Sequence, residues 1–249
     1  MNNPALLAGL FLWRHPLTDE EKQHLQKGAD GIRHMFYNGI YNTPDEAARN
    51  AVQLADNEHE PLYFTVFPQA EDKLVEFGVA VFQKFFEGKL FFGLTNSTKK
   101  FQNTMSLYGN TGLHVDAHSR GALTAGNGLR DFEQHGIHGI AENTSINLFG
   151  PAYNAQKMAN TLYILSNGKQ TYVNLENHAD DFVGVVFGGN PATFDQRPLG
   201  SNAAKEAGKV VFGYPSPHGC YGDADKACTK SYGSPHRKKV HSTRTGSKK

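Results

Sequence analysis

The run from Leu113 to Leu129 constrains this chain more than any other. A short strand-like stretch, Leu113–Ala117, leads into Ala117-His118-Ser119-Arg120-Gly121, and small and apolar residues follow at Ala122, Leu123, Ala125 and Leu129. Strand, small-x-Ser-x-Gly, helix is the context that a nucleophile elbow requires. The turn is sharp and strained, so only small residues fit two before and two after the serine. Ala117 stands where glycine is commoner, and its methyl group still fits. Such a turn holds the Ser119 hydroxyl at the top of a sheet. It also aims the N–H of Arg120 at the place where an oxyanion would form.

The rest of the chain supplies strands and helices in alternation. Pro61–Phe67 reads as a strand, and Leu74–Phe86 as a helix that is apolar nearly all round. Asn96–Tyr108 reads as a helix, and Ile146–Gly150, Tyr172–Leu175 and Val210–Tyr214 as strands. This order predicts an α/β fold: a mainly parallel, doubly wound sheet with helices on both faces. Residues 1–60 read as an N-terminal helical extension. Thr18-Asp19-Glu20-Glu21 opens one helix, followed by Leu25, Ile32, Met35 and Phe36; Thr43-Pro44-Asp45-Glu46 opens a second, carrying Ala47, Ala48, Ala51, Val52 and Leu54. Residues 61–233 are then the main domain, and residues 234–249, rich in Lys and Ser, a flexible basic tail.

Composition narrows the classes. A chain of 249 residues can bury the core of one large α/β domain. With 39% hydrophobic and 20% charged residues it is globular, and a formal net charge of +1 gives no general attraction to nucleic acid. The 12 histidines make the charge climb steeply below about pH 6.5. No apolar run reaches the roughly 18 residues of a transmembrane helix. Pro4–Trp13 is apolar but has neither a basic n-region nor a cleavage site, so it does not read as a signal peptide. Export is then expected by another route, or as a piece of something larger. Cys220 and Cys228 lie close together in a Gly/Asp/Lys-rich loop. Two cysteines without a second ligand pair make a poor zinc motif, so a local disulfide is expected, and with it an oxidising compartment.

A serine hydrolase on this fold needs an acid and then a histidine, in that chain order. The loop after the Tyr172–Leu175 strand, Asn177-His178-Ala179-Asp180-Asp181-Phe182-Val183, offers Asp180 or Asp181. The segment Pro215-Ser216-Pro217-His218-Gly219 offers His218, with His236 and His241 fitting less well in the polar tail. By fold analogy the second oxyanion donor is expected from the loop after Pro61–Phe67, near Pro68-Gln69. No metal and no cofactor are required.

These residues carry a resemblance. Leu113–Leu123, then Phe149-Gly150-Pro151-Ala152, then Val173-Asn174 to Asp181-Phe182-Val183 resemble class 3 lipases in order and spacing. The Asp-x-Val register of that family selects Asp181 over Asp180. The region from about Leu62 to Tyr232 is similar to the C-terminal region of bacterial filamentous-haemagglutinin-type exoproteins. The matching blocks are Phe67-Pro68 to Glu76, Leu94–Ser97, His118–Gly121, Gly150–Asn154, Gly188–Pro191 and His218–Gly222 with Cys228. The resemblance implies an α/β-hydrolase-like domain and a serine esterase of lipase or phospholipase type. It implies a secreted or delivered effector of interbacterial competition, with a membrane phospholipid or other ester as substrate and a cognate immunity protein as partner.

Two rival readings come from the same residues. His114-Val115-Asp116-Ala117-His118 is an H-x-D-x-H run, which on a strand puts three polar side chains on one face and could hold a metal such as Zn²⁺ for a metal-dependent hydrolase. The apolar N-terminal stretch and the Phe-rich segment Phe77–Phe92 could instead act on a membrane without chemistry, as a permeabilising toxin.

Overall fold

The computed structural model describes residues 24–39, 47–48, 50–52, 61–65, 94–212, 214–221 and 226–244. Among them, six strands form one sheet: β1 (Arg33–Tyr37), β2 (Leu62–Thr65), β3 (Leu113–His118), β4 (Thr144–Phe149), β5 (Tyr172–Glu176) and β6 (Lys238–His241). Their order is β2-β1-β3-β4-β5-β6; the first five run parallel and β6 is antiparallel to β5. Five helices are described: α1 (Asn96–Tyr108), α2 (Arg120–Gln134), α3 (Ala155–Leu165), α4 (Ala203–Phe212) and α5 (Lys226–Tyr232). The fold is α/β with a mostly parallel sheet. No helix among the described residues is long and apolar enough to cross a membrane.

The winding follows from handedness. The β1-to-β2 connection runs toward one edge of the sheet, and every later parallel connection runs toward the other. Right-handed crossovers therefore put α1, α2 and α3 together on one face. Met35, Tyr37, Leu113, Val115, Ala117, Ile146, Leu148, Val173 and Leu175 pack with those three helices in the main core. The alternate residues Phe36 and Phe149 point the other way. They join Ala51, Phe194 and Tyr221 in a smaller cluster, so Ala51, in the helical residues 50–52, lies on that face. Thr95 caps α1 by accepting from the Thr98 N–H, and Asn154 caps α3 by accepting from the Lys157 N–H at 3.0 Å.

Three readings of the sequence are corrected. Ile32, Met35 and Phe36, assigned to the helical extension of residues 1–60, belong to or flank β1, an interior strand of the sheet. Both faces of β1 are buried, so its apolar residues do not alternate and their spacing imitates a helix. Val210, Val211 and Phe212, read as the last strand, end helix α4, where Lys209 pairs with the buried Glu206 at 2.8 Å. The tail read as flexible contains β6, the last strand among the described residues. Val240 packs on the main core, Lys239 lies 4.2 Å from the Tyr172 ring centroid, and Arg237 bonds Glu176 at 3.0 Å. A lysine-rich edge strand looks like solvated tail in composition, because charge is how sheet edges are kept from pairing with other chains. The helix starts at Thr18 and Thr43, the Leu74–Phe86 helix and the rival membrane-active segments lie outside the described residues.

Candidate active site

Ser119 sits between β3 and α2 with φ 53° and ψ −119°, one of two non-glycine residues at positive φ among the described residues. Left-handed backbone is costly for a side chain with a Cβ, so the surrounding structure must hold it there. Its N–H donates to the Phe149 carbonyl at 3.1 Å, and its carbonyl accepts from Ala152 at 3.2 Å. Gly121 is required for a steric reason: a Cβ there would collide with the Tyr37 carbonyl at the end of β1. The residue pattern of the elbow is thus fixed by how closely α2 approaches the end of the neighbouring strand.

The structure brings Ser119, His218 and Asp181 together. His218 Nε2 lies 2.8 Å from Ser119 Oγ, and His218 Nδ1 lies 3.0 and 2.9 Å from the two carboxylate oxygens of Asp181. Asp181 follows β5 and caps a single π-helical turn, Phe182–Phe187, accepting from the N–H groups of Val183 and Gly184 at 2.9 and 3.0 Å. The Tyr221 hydroxyl donates to its other oxygen. Burial would raise the Asp181 pKa, but the charge and hydrogen bond of His218 and the donors Tyr221 and Gly184 outweigh it and hold the carboxyl down at about 2. His218 stands in a short 3-10 turn, Pro217–Gly219. Cys220, the next residue, is bonded to Cys228 at a Cα–Cα distance of 5.7 Å, which ties the turn to α5.

Asp180, the neighbouring carboxylate, goes elsewhere. It is buried and pairs with Arg197 at 3.0 Å. His236 and His241 are not part of the cluster: His236 stacks edge-on against Phe194, and His241 lies at the end of β6.

The H-x-D-x-H run divides. His114 and Asp116 bond to each other at 3.2 Å, on the sheet face away from α1–α3, and Asn147 donates to Asp116 at 2.8 Å. His118 instead stacks on His218 with ring centroids 4.7 Å apart, and its Nε2 donates to the His218 carbonyl at 2.8 Å. Burial and the nearby His218 charge push the His118 pKa down to about 3. Among the described residues no group of three or more His, Cys, Asp or Glu could hold a metal ion.

Gln69, the anticipated second oxyanion donor, lies outside the described residues. Gly39, which follows β1, lies beside Ser119. A Cβ on Gly39 would stand 3.2 Å from Ser119 Cβ and 3.1 Å from His118 Nδ1. Connections from β1 and β3 depart in opposite directions, which opens a crevice at their carboxyl ends, the usual place for a site in an open α/β sheet. That signal was hidden because β1 read as helix.

Gly150 and Asn190 were quoted only within longer motifs, and each has a structural task. Gly150, at φ +47°, leaves the space that Asp181 and Tyr221 occupy. Asn190 accepts from the Ala155 N–H and donates to the carbonyls of Pro151, Tyr153 and Gly184, which locks the loop after β4 onto the π-helical turn. No family model, curated protein or solved structure matches the chain.

Proposed function

We propose that this protein is a serine hydrolase of carboxylic esters on an α/β-hydrolase-like fold. The observation that carries the reading is the unbroken chain from a strained serine through His218 to a buried, ionised Asp181. Ser119 Oγ attacks the ester carbonyl while His218 Nε2 takes its proton, and His218 then returns that proton to the departing alcohol. Asp181 fixes the tautomer with Nδ1 protonated and stabilises the imidazolium as it forms. Arg120 is the first residue of α2, and N–H groups of a first helical turn point out along the axis, toward the oxyanion. The second donor is expected from the backbone near Gly39, which lies beside Ser119. Water completes the cycle by the same route, and no step needs a cofactor.

The narrower reading is a lipase or phospholipase delivered as an effector against other bacteria, acting on membrane phospholipid and neutralised by a cognate immunity protein. It is supported by the resemblance of the Ser119, Phe149–Ala152 and Asp181 blocks to class 3 lipases and of the wider region to exoprotein C-termini. A fluorophosphonate probe tests the chemistry: it labels the wild type and leaves Ser119→Ala unlabelled. Headgroup and fatty-acid products from bacterial lipid extract test the substrate. A Ser119→Ala protein that still cleaves esters refutes the hydrolase reading itself.

A further inference from the structure

We infer that Tyr221 is a positioning residue for the acid of this chain, its hydroxyl holding the Asp181 oxygen that the backbone does not. The inference rests on the hydrolase reading above. The two oxygens of Asp181 are served differently. Oδ1 accepts from the Val183 and Gly184 N–H groups as well as facing His218. Oδ2 faces His218 at 2.9 Å and accepts from Tyr221. The Tyr221 hydroxyl itself accepts from the His178 N–H at 3.2 Å, which directs its own proton toward the carboxylate.

The phenol has little freedom to do anything else. Its ring is buried with Phe36, Phe149 and Phe194 and lies 6.0 Å from Phe194 in an edge-on arrangement. Gly150 admits both groups, since a Cβ there would strike Asp181 Oδ2 and the Tyr221 ring. Burial and the adjacent Asp181 charge raise the phenol pKa well above its usual value, which favours the protonated, donating form. Tyr221 stands three residues after His218 and directly after Cys220. One short, disulfide-tied segment therefore delivers both the base and the group that holds the acid facing it.

Tyr221→Phe keeps the ring and removes the donor, so it isolates the hydroxyl. A lost hydrogen bond to a charged group predicts a fall in kcat of about 10- to 100-fold with KM little changed. Loss of the donor also concentrates negative charge on Asp181. That favours the charged form of His218, and the acid limb of the kcat/KM profile moves to higher pH. A variant with wild-type kcat, or a slower one whose acid limb stays in place, overturns the inference, because mere loosening of packing does not move the limb. If Tyr221→Phe does not fold, 3-fluorotyrosine placed at 221 keeps the ring and strengthens the donor. It should move the limb to lower pH, and an unmoved limb is again fatal. Ser119→Ala, assayed beside these variants, separates the two claims: residual ester hydrolysis there sinks the hydrolase reading, whatever Tyr221 does.

Discussion

Two Ser–His–Asp chains lie on the sheet, and they differ in backbone more than in side-chain contacts. In one, Ser119 Oγ meets His218 at 2.8 Å and His218 meets Asp181 at 2.9 Å. In the other, Ser145 Oγ meets His114 at 2.6 Å and His114 meets Asp116 at 3.2 Å. Ser145, however, is a regular residue of β4, whose backbone N–H and C=O groups belong to the sheet ladder. Ser119 is at positive φ at the start of a helix, beside the crevice where the winding reverses. Asp116 is shared with Asn147, which continues through Asn174, so that network closes on itself across three strands. Contacts alone do not make a nucleophile. What separates the two chains is that Ser119, unlike Ser145, stands at a helix N-terminus, which on the proposed reading meets developing negative charge.

The largest expected effect tests that contrast directly. Ser119→Ala should lower kcat by about 10⁶, the scale seen when a hydrolase loses its nucleophile. Ser145→Ala should leave kcat and fluorophosphonate labelling as they are. Labelling that disappears with Ser145 and survives in Ser119→Ala would reverse the assignment.

The acid gives the next contrast, between two adjacent carboxylates. Asp181→Asn should reduce kcat by about 10⁴, because the imidazole then takes the wrong tautomer. Asp180→Asn should leave the rate almost intact and show its cost in thermal stability, since it removes the charge of a buried carboxylate from its pair with the exposed Arg197. Equal rate losses in the two variants would mean that the loop, and not one carboxylate, is what matters.

A third test separates position from stability at the Cys220–Cys228 disulfide. The bonded residues are eight apart, so the entropy gain is modest, about 2–3 kcal/mol at most. Cys220 is two residues from His218, and a shift of about 1 Å at such a group can cost about 10² in rate. Dithiol reductant should therefore reduce ester hydrolysis well before it reduces helical content by far-UV circular dichroism. Two free thiols found by mass spectrometry in fully active protein would show that the bond does not hold the base.

The site was legible in sequence to the extent that it depended on local order. A small-x-Ser-x-Gly turn, an acid after one strand and a histidine after a later element are arrangements in which each residue carries its own signal. The geometry of Asp181 and His218 follows from that order, even though α4, and not a strand, leads into the His218 segment. Features that depend on pairing between distant segments were not legible. β1 is buried on both faces, so it lacks the alternation that marks a strand, and its misreading hid the crevice at its carboxyl end. β6 is visible only through what it packs on: Val240 on the core, Lys239 on Tyr172 and Arg237 on Glu176. Asn190 and Gly150 have clear tasks, but a sequence shows neither the carbonyls that gather around the one nor the carboxylate that fills the space beside the other.

The smallest expected effect lies in the closed network and concerns stability, not rate. Burial would lower the His114 pKa, but the charge and hydrogen bond of Asp116, with help from Asp30, outweigh burial and Arg237, and the net shift is upward from 6.5. A group whose pKa is raised by folding stabilises the fold while it is protonated in both states. That contribution is complete below pH 6.5 and is lost as the pH rises through the folded-state pKa. Asp30 and His34 face it from β1 and its approach, Ser145 and Asn147 from β4, and Arg237 from the approach to β6. His114→Gln keeps a polar side chain and removes the charge. Its melting temperature should fall below wild type most at mildly acidic pH, and the gap should close as the solution becomes alkaline. Ester hydrolysis should be unchanged at a temperature where both proteins are folded. A gap that stays constant with pH would mean that His114 acts through packing and neutral hydrogen bonds alone. A gap accompanied by lost hydrolysis would join the two Ser–His–Asp chains that the backbone geometry keeps apart.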